Sequence, residues 1–205
     1  MSRGWLLLLA IAIAFGAQRS CQSREIVRLP GVLASEMPQQ TELRRAEREP
    51  FEHRGYLLEP QARYELTARL LSRLEYRLGR EAQLSPVDFA LGWGPMSDSS
   101  VLAQLEISQS GRFFWVRWQE APPVSQRVLF EHAANTHLIP ADDTVRRALD
   151  RMRAGHVVHL EGLLVNVRAA DGWRWKTSLV RDDMGAGACE LFWVTQAWIE
   201  QEAET

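Results

Sequence analysis

The sequence has little of several features that would assign it to a familiar class of protein. Its 205 residues include only two cysteines, Cys21 and Cys189, which excludes a fold held together by several disulfides. No run of about 20 apolar residues follows the N-terminal region, which excludes a multispanning membrane protein. The net charge of −2 argues against a polybasic nucleic-acid-binding protein. Hydrophobic residues make up 46% of the chain, so a folded core is expected.

Local motifs for metals, phosphates and nucleotides are also missing. The chain has no HExxH, no CxxC, and neither the GxGxxG nor the GxxxxGK[ST] pattern of phosphate-binding loops. His156 and His159 are three residues apart on an expected strand, so their side chains would point to opposite faces and could not hold one metal together. We therefore expect no cofactor and no metal site defined by local spacing. A site assembled from distant residues stays open.

Residues 5–17 form a short apolar stretch without charge, with Arg3 before it and Arg19 after it. A positive start followed by such a stretch is typical of a secretory signal, and a retained helix of this length would be short for a span that needs about 20 residues. We predict that residues 1–21 are a signal peptide or a short membrane anchor. Lipidation of Cys21 is a weaker alternative, because Arg19 lies where a lipoprotein signal has small aliphatic residues.

The rest of the chain divides by composition into three segments. Residues 22–54 contain three prolines and a run of mixed charge, which predicts a spacer. Strand-forming patterns begin near Gly55, so we expect one globular β-rich domain over residues 55–195. The final segment, residues 196–205, is predicted to be an acidic tail.

Apolar periodicity within the domain predicts mostly strands. They are expected at residues 63–70, in a hairpin over residues 105–118, at residues 156–167 and at residues 189–194. The first of these segments also fits a helix, through the spacing of Leu66, Leu70 and Leu74. The second arm of the hairpin is apolar on both faces, which indicates a buried central strand. Ser85 and Pro86 are typical of a helix start, and a clearer helix opens at Pro140 and ends at Gly155.

This order of elements predicts an α+β fold in which the sheet dominates. One main helix inserted before the last strands of a curled sheet favours an OB-like or related β-barrel, with an apolar helix added at the N-terminus. Gly162 lies within a long expected strand and is a plausible bend point for closing such a sheet.

Several longer phrases of the sequence resemble those of one family. They are REAQLSPVD at residues 80–88, LGWGPMSD at 91–98, HLIPA at 137–141, DGWRW at 171–175 and GACEL at 187–191. Together they resemble a family of bacterial envelope proteins that has an N-terminal apolar segment and no known activity. The resemblance implies an envelope protein, and it implies no reaction, ligand or site residue.

Cys189 is the one cysteine outside the targeting region. It could be a nucleophile if a base such as His137 lowered the pKa of its thiol. His156 and His159 are alternative bases. The other interpretation is that Cys189 is a small buried residue at the start of a strand, and catalytic signatures around it are absent.

Tryptophans mark the candidate ligand-binding residues. Trp93 lies between two glycines in a loop that ends at Asp98, and such a residue must pack on a core or on a ligand. Trp173 and Trp175 alternate and therefore share one face of their segment. Exposed, they would stack on sugars, bases or prolines, and nearby Arg174 would favour an anionic ligand.

The expected function is that of a non-enzymatic binding or assembly module of the envelope. Residues 5–17 would tether it to the inner membrane or direct its export, and its partner would be another envelope protein or a polymer. Nucleic acid is the least favoured ligand, because the charge is slightly acidic. The alternative is a hydrolase or transferase that uses Cys189 with a histidine base.

Overall fold

The computed structural model describes residues 25–180 and 188–200. The predicted signal or anchor segment at residues 5–17 and Cys21 lie outside the described residues. Among the residues that are described, no helix has the length and apolar character needed to cross a membrane.

Strands dominate the described part of the chain. They are β1 (Gln39–Thr41), β2 (Phe51–His53), β3 (Tyr56–Glu75), β4 (Val87–Gly92), β5 (Glu106–Ser110), β6 (Phe113–Arg117), β7 (Ala133–Pro140), β8 (Val157–Arg168), β9 (Arg174–Trp175) and β10 (Glu190–Ile199). Four short helices interrupt them, namely α1 (Arg80–Leu84), α2 (Ser99–Leu102), α3 (Gln126–Glu131) and α4 (Asp143–Arg151). Two single 3₁₀ turns lie at Arg45–Glu47 and Gly94–Ser97.

Five strands of one sheet form a closed ring in the order β3, β4, β7, β10, β8 and back to β3. The neighbours are antiparallel except β7 and β10, which are parallel. Closure depends on the length of β3, whose first part pairs with β8 from Leu57 to Arg69 and whose end pairs with β4 from Arg69 to Glu75. Strands β1 and β2 also pair with β3, and β9 pairs with β8. The prediction of a sheet-dominated fold is confirmed.

The inner face of the ring holds the larger hydrophobic core. It includes Tyr64, Leu66, Leu70, Phe89, Leu91, Leu138, Leu160, Leu164 and Phe192. Helix α4 adds Val145 and Leu149, which are one turn apart, and Met152 follows at its end. The predicted helix before β8 is therefore confirmed, and its apolar face packs on the core as its spacing requires.

A second cluster covers part of the outer face. It includes Tyr56, Leu58, Leu84, Ile139, Leu163, Val165, Val167 and Leu191, with Trp173, Trp175 and Trp193 packed against it. Both faces of the ring strands are therefore apolar over part of their length. This is why the long strand over residues 156–167 reads as continuously apolar near its middle.

Gly162 lies on β8 opposite Tyr64 of β3 and Val194 of β10. A Cβ atom at this position would overlap the backbone carbonyl of Trp193. The register between β8 and β10 shifts just beyond Val194, as expected where a strand bends. The close approach of the two backbones explains why a glycine occupies the position predicted as a bend point.

Two local predictions are wrong. Ser85 and Pro86 do not open a helix: Ser85 ends α1 by donating its backbone N–H to the carbonyl of Glu81, and all six residues of β4 are buried in the sheet. Strand β6 is not central, because it pairs with β5 in a separate two-stranded sheet. One face of β6 is exposed at Phe113 and Trp115, so its apolar character is not a sign of burial.

The structure also differs from the predicted segment boundaries. Strands β1 and β2 lie in the predicted spacer, residues 22–54, and pair with β3. Strand β10 continues to Ile199, past the start of the predicted tail at residue 196.

Candidate functional site

A buried carboxylate lies at the centre of a polar cluster on the outer side of the ring. Strand β4 carries Asp88 directly opposite His137 of β7. The side chain of Asp88 is fully buried, and its Oδ2 lies 2.9 Å from Nδ1 of His137. Its Oδ1 accepts a hydrogen bond of 2.8 Å from Nη1 of Arg112. A buried carboxylate needs such partners, because burial of an unpaired charge is costly.

Arg112 comes from the tip of the β5–β6 hairpin, where Gly111 and Arg112 both have positive φ, 56° and 68°. Two successive residues of positive φ are typical of the tight turns whose twist matches a hairpin. The Arg112 guanidinium also donates to the carbonyl of Ser85 over 2.9 Å. It lies 4.0 Å from the ring centroid of Tyr76 and 5.2 Å from that of Trp175. Arg112 thus fastens the hairpin to the ring.

Tyr76 completes the enclosure of the guanidinium. Its hydroxyl oxygen accepts a hydrogen bond of 3.0 Å from the backbone N–H of Arg112. Burial, reinforced by the nearby charge of Asp88, raises the pKa of Tyr76 to about 12. The phenol is therefore neutral at physiological pH and serves as a hydrogen-bonding group.

The structure brings Cys189 to the edge of the same cluster. Its Sγ lies 3.7 Å from the carbonyl oxygen of Arg112 and 3.6 Å from Nδ2 of Asn135. Asn135 and His137 are two residues apart on β7 and share a face. Cys189 and His137, predicted as a nucleophile and its base, therefore both border the cluster, and Trp175 covers the imidazole with ring centroids 4.9 Å apart.

Sequence reasoning missed Asp88 as the partner of His137. The helix start predicted at Ser85 and Pro86 would put Asp88 in a first helical turn, where a carboxylate needs no other explanation. One feature of the sequence could have revealed this partnership. Residues 87–92 form a short segment that is almost wholly apolar apart from Asp88. A lone acid in a buried strand must have a partner.

The two predicted tryptophans lie together beside this cluster. The ring centroids of Trp173 and Trp175 are 6.0 Å apart, and Trp173 meets Tyr56 edge to face at 5.9 Å. The guanidinium of Arg80 lies 5.3 Å from the centre of the Trp173 ring. Hydrogen bonds from Arg80 lower the pKa of Asp171 and hold its carboxylate in place. Trp173 and Trp175 are both half-buried, so each keeps part of its surface exposed.

A cleft of about 400 Å³ opens next to Trp173. Its lining includes Tyr56, Trp173, Arg168 and Arg174, with Glu52 at one side. It therefore combines aromatic surface with two arginines, the combination that binds anionic ligands with flat or ring-shaped groups.

Two other predicted ligand-binding residues have structural roles. Trp93 is only 2% exposed and lies in the inner core, so its assignment to a ligand site is corrected to a core residue. Asp98 caps helix α2 by accepting from the backbone N–H of Ser100, and it also accepts from that of Gly31. These hydrogen bonds lower the pKa of Asp98, and the contact with Gly31 joins the early chain to the ring.

No family model, curated protein or solved structure matches this chain. The resemblance to a family of envelope proteins therefore stays a prediction, and the argument about function rests on the geometry above.

Proposed function

We propose that the chain is a non-enzymatic binding module of the bacterial envelope, and that it binds an acidic polysaccharide in the cleft beside Trp173. The observation that carries this proposal is the cleft itself, where the half-exposed ring of Trp173 lies beside Arg168 and Arg174. Aromatic faces stack on sugar rings, and arginine pairs with carboxylates in a planar, two-bonded geometry.

We further propose that the five-stranded ring is a barrel of the OB type. Its support is the order of the strands, with the main helix α4 between the third and fourth strands of the ring, β7 and β8. OB barrels bind oligosaccharides and oligonucleotides near the loops that join strands one to two and four to five. Here these loops carry Arg80 and Trp173, whose side chains touch.

The charge of the cleft favours an anionic ligand over a neutral one. Arg174 is exposed, and the side chain of Arg168 is 50% exposed although it pairs with Glu59 over 2.8 Å. Exposed pairs of this kind contribute little energy, about 0–1 kcal/mol. A ligand carboxylate could therefore take over the guanidinium of Arg168 at small cost.

The envelope location rests on the apolar stretch at residues 5–17 and on the family resemblance. Acidic polysaccharides are abundant outside the cytoplasm, so the proposed ligand class and the proposed location agree.

The test is a binding titration of the full-length protein in detergent micelles with oligogalacturonate, an oligosaccharide of uronic acids. The methyl-esterified form of the same oligosaccharide is the uncharged control ligand. We expect Trp173→Ala to weaken binding about 10-fold, which is the loss of roughly 1.5 kcal/mol of aromatic stacking. Trp115→Ala removes an exposed tryptophan on the separate hairpin and should leave the affinity unchanged.

Binding should also weaken as salt is raised, because it depends on arginine. Equal affinity for the esterified form would refute the anionic class. An equal loss in the Trp173 and Trp115 variants would refute the cleft as the site.

A cysteine-dependent hydrolase or transferase is the second candidate. It is favoured by the approach of Asp88 Oδ2 to Nδ1 of His137, an arrangement that orients an imidazole as a base. The discriminating measurement is the rate at which iodoacetamide alkylates Cys189 at neutral pH in a Cys21→Ser background. An activated thiolate reacts fast in the folded protein and slows in a His137→Gln variant, whereas the binding-module proposal expects the half-buried thiol to react slowly and at the same rate in both proteins.

A further inference from the structure

Three electron-rich atoms converge on the outer face of the ring, where β3, β8 and β10 run side by side. Nε2 of His159 lies 3.6 Å from Oε1 of Glu65 and 3.4 Å from Oε1 of Glu161. All three atoms lie within 4.8 Å of one another. Glu65 and Glu161 are directly opposed across β3 and β8, and so are Thr67 and His159. The four side chains therefore form two successive rungs on one face of the sheet.

This arrangement favours a positive charge between the two carboxylates. Like charges directly opposite each other on a sheet are destabilising, yet Glu65 and Glu161 occupy one rung. Nε2 of His159 is shielded from solvent and has no hydrogen-bond partner within the described part of the chain. The second carboxylate oxygen of Glu161 accepts from Nε2 of Gln196 over 3.2 Å, which orients Oε1 towards the shared space.

The groups that contact Nδ1 and the ring plane orient the imidazole as a metal ligand. Nδ1 of His159 lies 2.8 Å from Oγ1 of Thr67 and 3.7 Å from Oε1 of Glu200. A hydrogen bond donated by Nδ1 to Oγ1 of Thr67 leaves the lone pair on Nε2 facing the two glutamates. Trp198 stacks on the ring at 4.1 Å and 15° and fixes its plane. Histidines that bind metals are held in this way through their other nitrogen.

We propose that Glu65, His159 and Glu161 bind a divalent first-row metal ion, with Zn²⁺ as the best match to one imidazole and two carboxylates. Tetrahedral zinc with bonds of about 2.0–2.1 Å separates its ligand atoms by about 3.3–3.4 Å. The two distances from Nε2 are 3.6 and 3.4 Å, and the two glutamate oxygens lie within 4.8 Å of each other, so side-chain rotations can bring all three atoms to this spacing. A cleft of about 270 Å³ borders both glutamates and leaves room for water on the metal.

The site is independent of the proposed polysaccharide cleft, because the two share no residue. It is also a site that local motifs cannot reveal. Glu65 precedes His159 by 94 positions in the sequence. The two residues meet only because closure of the ring places β3 beside β8. The separation of the two sites allows each proposal to fail without the other.

The test uses the full-length protein in detergent micelles, with both cysteines replaced by serine so that no thiol binds zinc. Zn²⁺ alone is titrated by calorimetry, and Co²⁺ is followed by its visible absorption. We expect one site per chain. His159→Gln and Glu161→Gln should each weaken the affinity by more than 10-fold, and Thr67→Val by about 10-fold, the lower end of the effect of removing a group behind a ligand.

Two variants are matched controls. His53→Gln removes a histidine of β2 that lies opposite Tyr56 at the start of β3, and Glu106→Gln removes an exposed carboxylate of the β5–β6 hairpin; neither residue is a proposed ligand, and neither change should alter the affinity. Trp198 provides an internal reporter, since Co²⁺ at Nε2 should quench its fluorescence and Trp198→Phe should abolish that component. Glu65→Gln is the fallback if another variant misfolds, because the Glu65 side chain is 49% exposed.

Three results would overturn the proposal. The first is the absence of saturable Zn²⁺ binding. The second is binding that His159→Gln leaves unchanged. The third is a proton on Nε2 of His159, seen by nitrogen NMR at neutral pH with saturating Zn²⁺, which would mean that the two glutamates are bridged by an imidazolium. Loss of polysaccharide binding in the Trp173 variant bears on none of these.

Discussion

Replacement of Arg112 by methionine tests the physical account of the buried cluster. Methionine keeps much of the apolar length of the side chain and removes the guanidinium. Asp88 would then keep His137 as its neighbour and lose the hydrogen bond of 2.8 Å that Arg112 supplies. The carboxylate has no exposed surface, and the Arg112 side chain is only 14% exposed, so water cannot replace the lost partner.

Breaking a buried ion pair from one side costs about 3–5 kcal/mol. We expect the free energy of unfolding of Arg112→Met to fall by this amount. With an m-value of about 2 kcal/mol/M in urea, the midpoint should move down by about 1.5–2.5 M. Equilibrium unfolding in urea, followed by tryptophan fluorescence and circular dichroism, measures the shift.

The matched control is Arg117→Met at the exposed end of β6 in the same hairpin, which should change stability by no more than about 0.5 kcal/mol. The double variant Asp88→Asn, Arg112→Met should be more stable than Arg112→Met alone, because it leaves no uncompensated charge. The reasoning is refuted if Arg112→Met loses less than about 1 kcal/mol. It is also refuted if the double variant is less stable than the single one.

Three further predictions concern the core, the ring and the pH dependence of stability. Trp93→Ala should lower the free energy of unfolding by about 3–5 kcal/mol, as large-to-small changes in a core do, whereas Trp115→Ala on the exposed hairpin should cost less than about 0.5 kcal/mol. Gly162→Ala should destabilise by about 1–3 kcal/mol, because the new methyl group overlaps the carbonyl of Trp193. Burial lowers the pKa of His156, so the unfolded chain binds more protons than the folded chain near pH 6.5. The free energy of unfolding should therefore fall as the pH falls through that value. Thermal melts from pH 8 to 5 should show a smaller fall in melting temperature for His156→Gln than for the parent.

Each of these has a result that contradicts it. Equal melting temperatures for Trp93→Ala and the parent would mean that Trp93 is not a core residue and would make it a candidate for ligand binding. Unchanged stability of Gly162→Ala would mean that β8 and β10 do not approach closely there. A larger loss of stability at low pH in His156→Gln than in the parent would contradict the lowered pKa of His156. Burial also lowers the pKa of His53, but His53 is present in both proteins and makes the same contribution in each.

Much of the fold could be predicted from local patterns. The alternation at residues 63–70 lies within β3, and the helix expected after Pro140 is α4. Gly162 was identified as a bend because a glycine in a long strand marks a close backbone approach. These features depend on neighbours within a few residues, which is the range over which periodicity, caps and turns act.

The remaining errors share one cause. A strand with two apolar faces and a hairpin with one exposed aromatic face look alike in sequence, so β6 was predicted to be central. Ser85 and Pro86 can open a helix or end one, and the burial of β4 decides between the two. Neither choice is local, because it depends on which strand lies alongside.

The sequence by itself determined that strands dominate the fold, where the helix α4 forms, and that Trp173 and Trp175 lie on one face of their segment. Only the tertiary structure decided which distant residues meet. It placed Asp88 beside His137 and Arg112, and it buried Trp93 in the core. It also brought Glu65 beside His159 and Glu161. The physical reason is that a closed ring of strands sets its neighbours by hydrogen-bond register across the whole chain, and no short window of sequence contains that register.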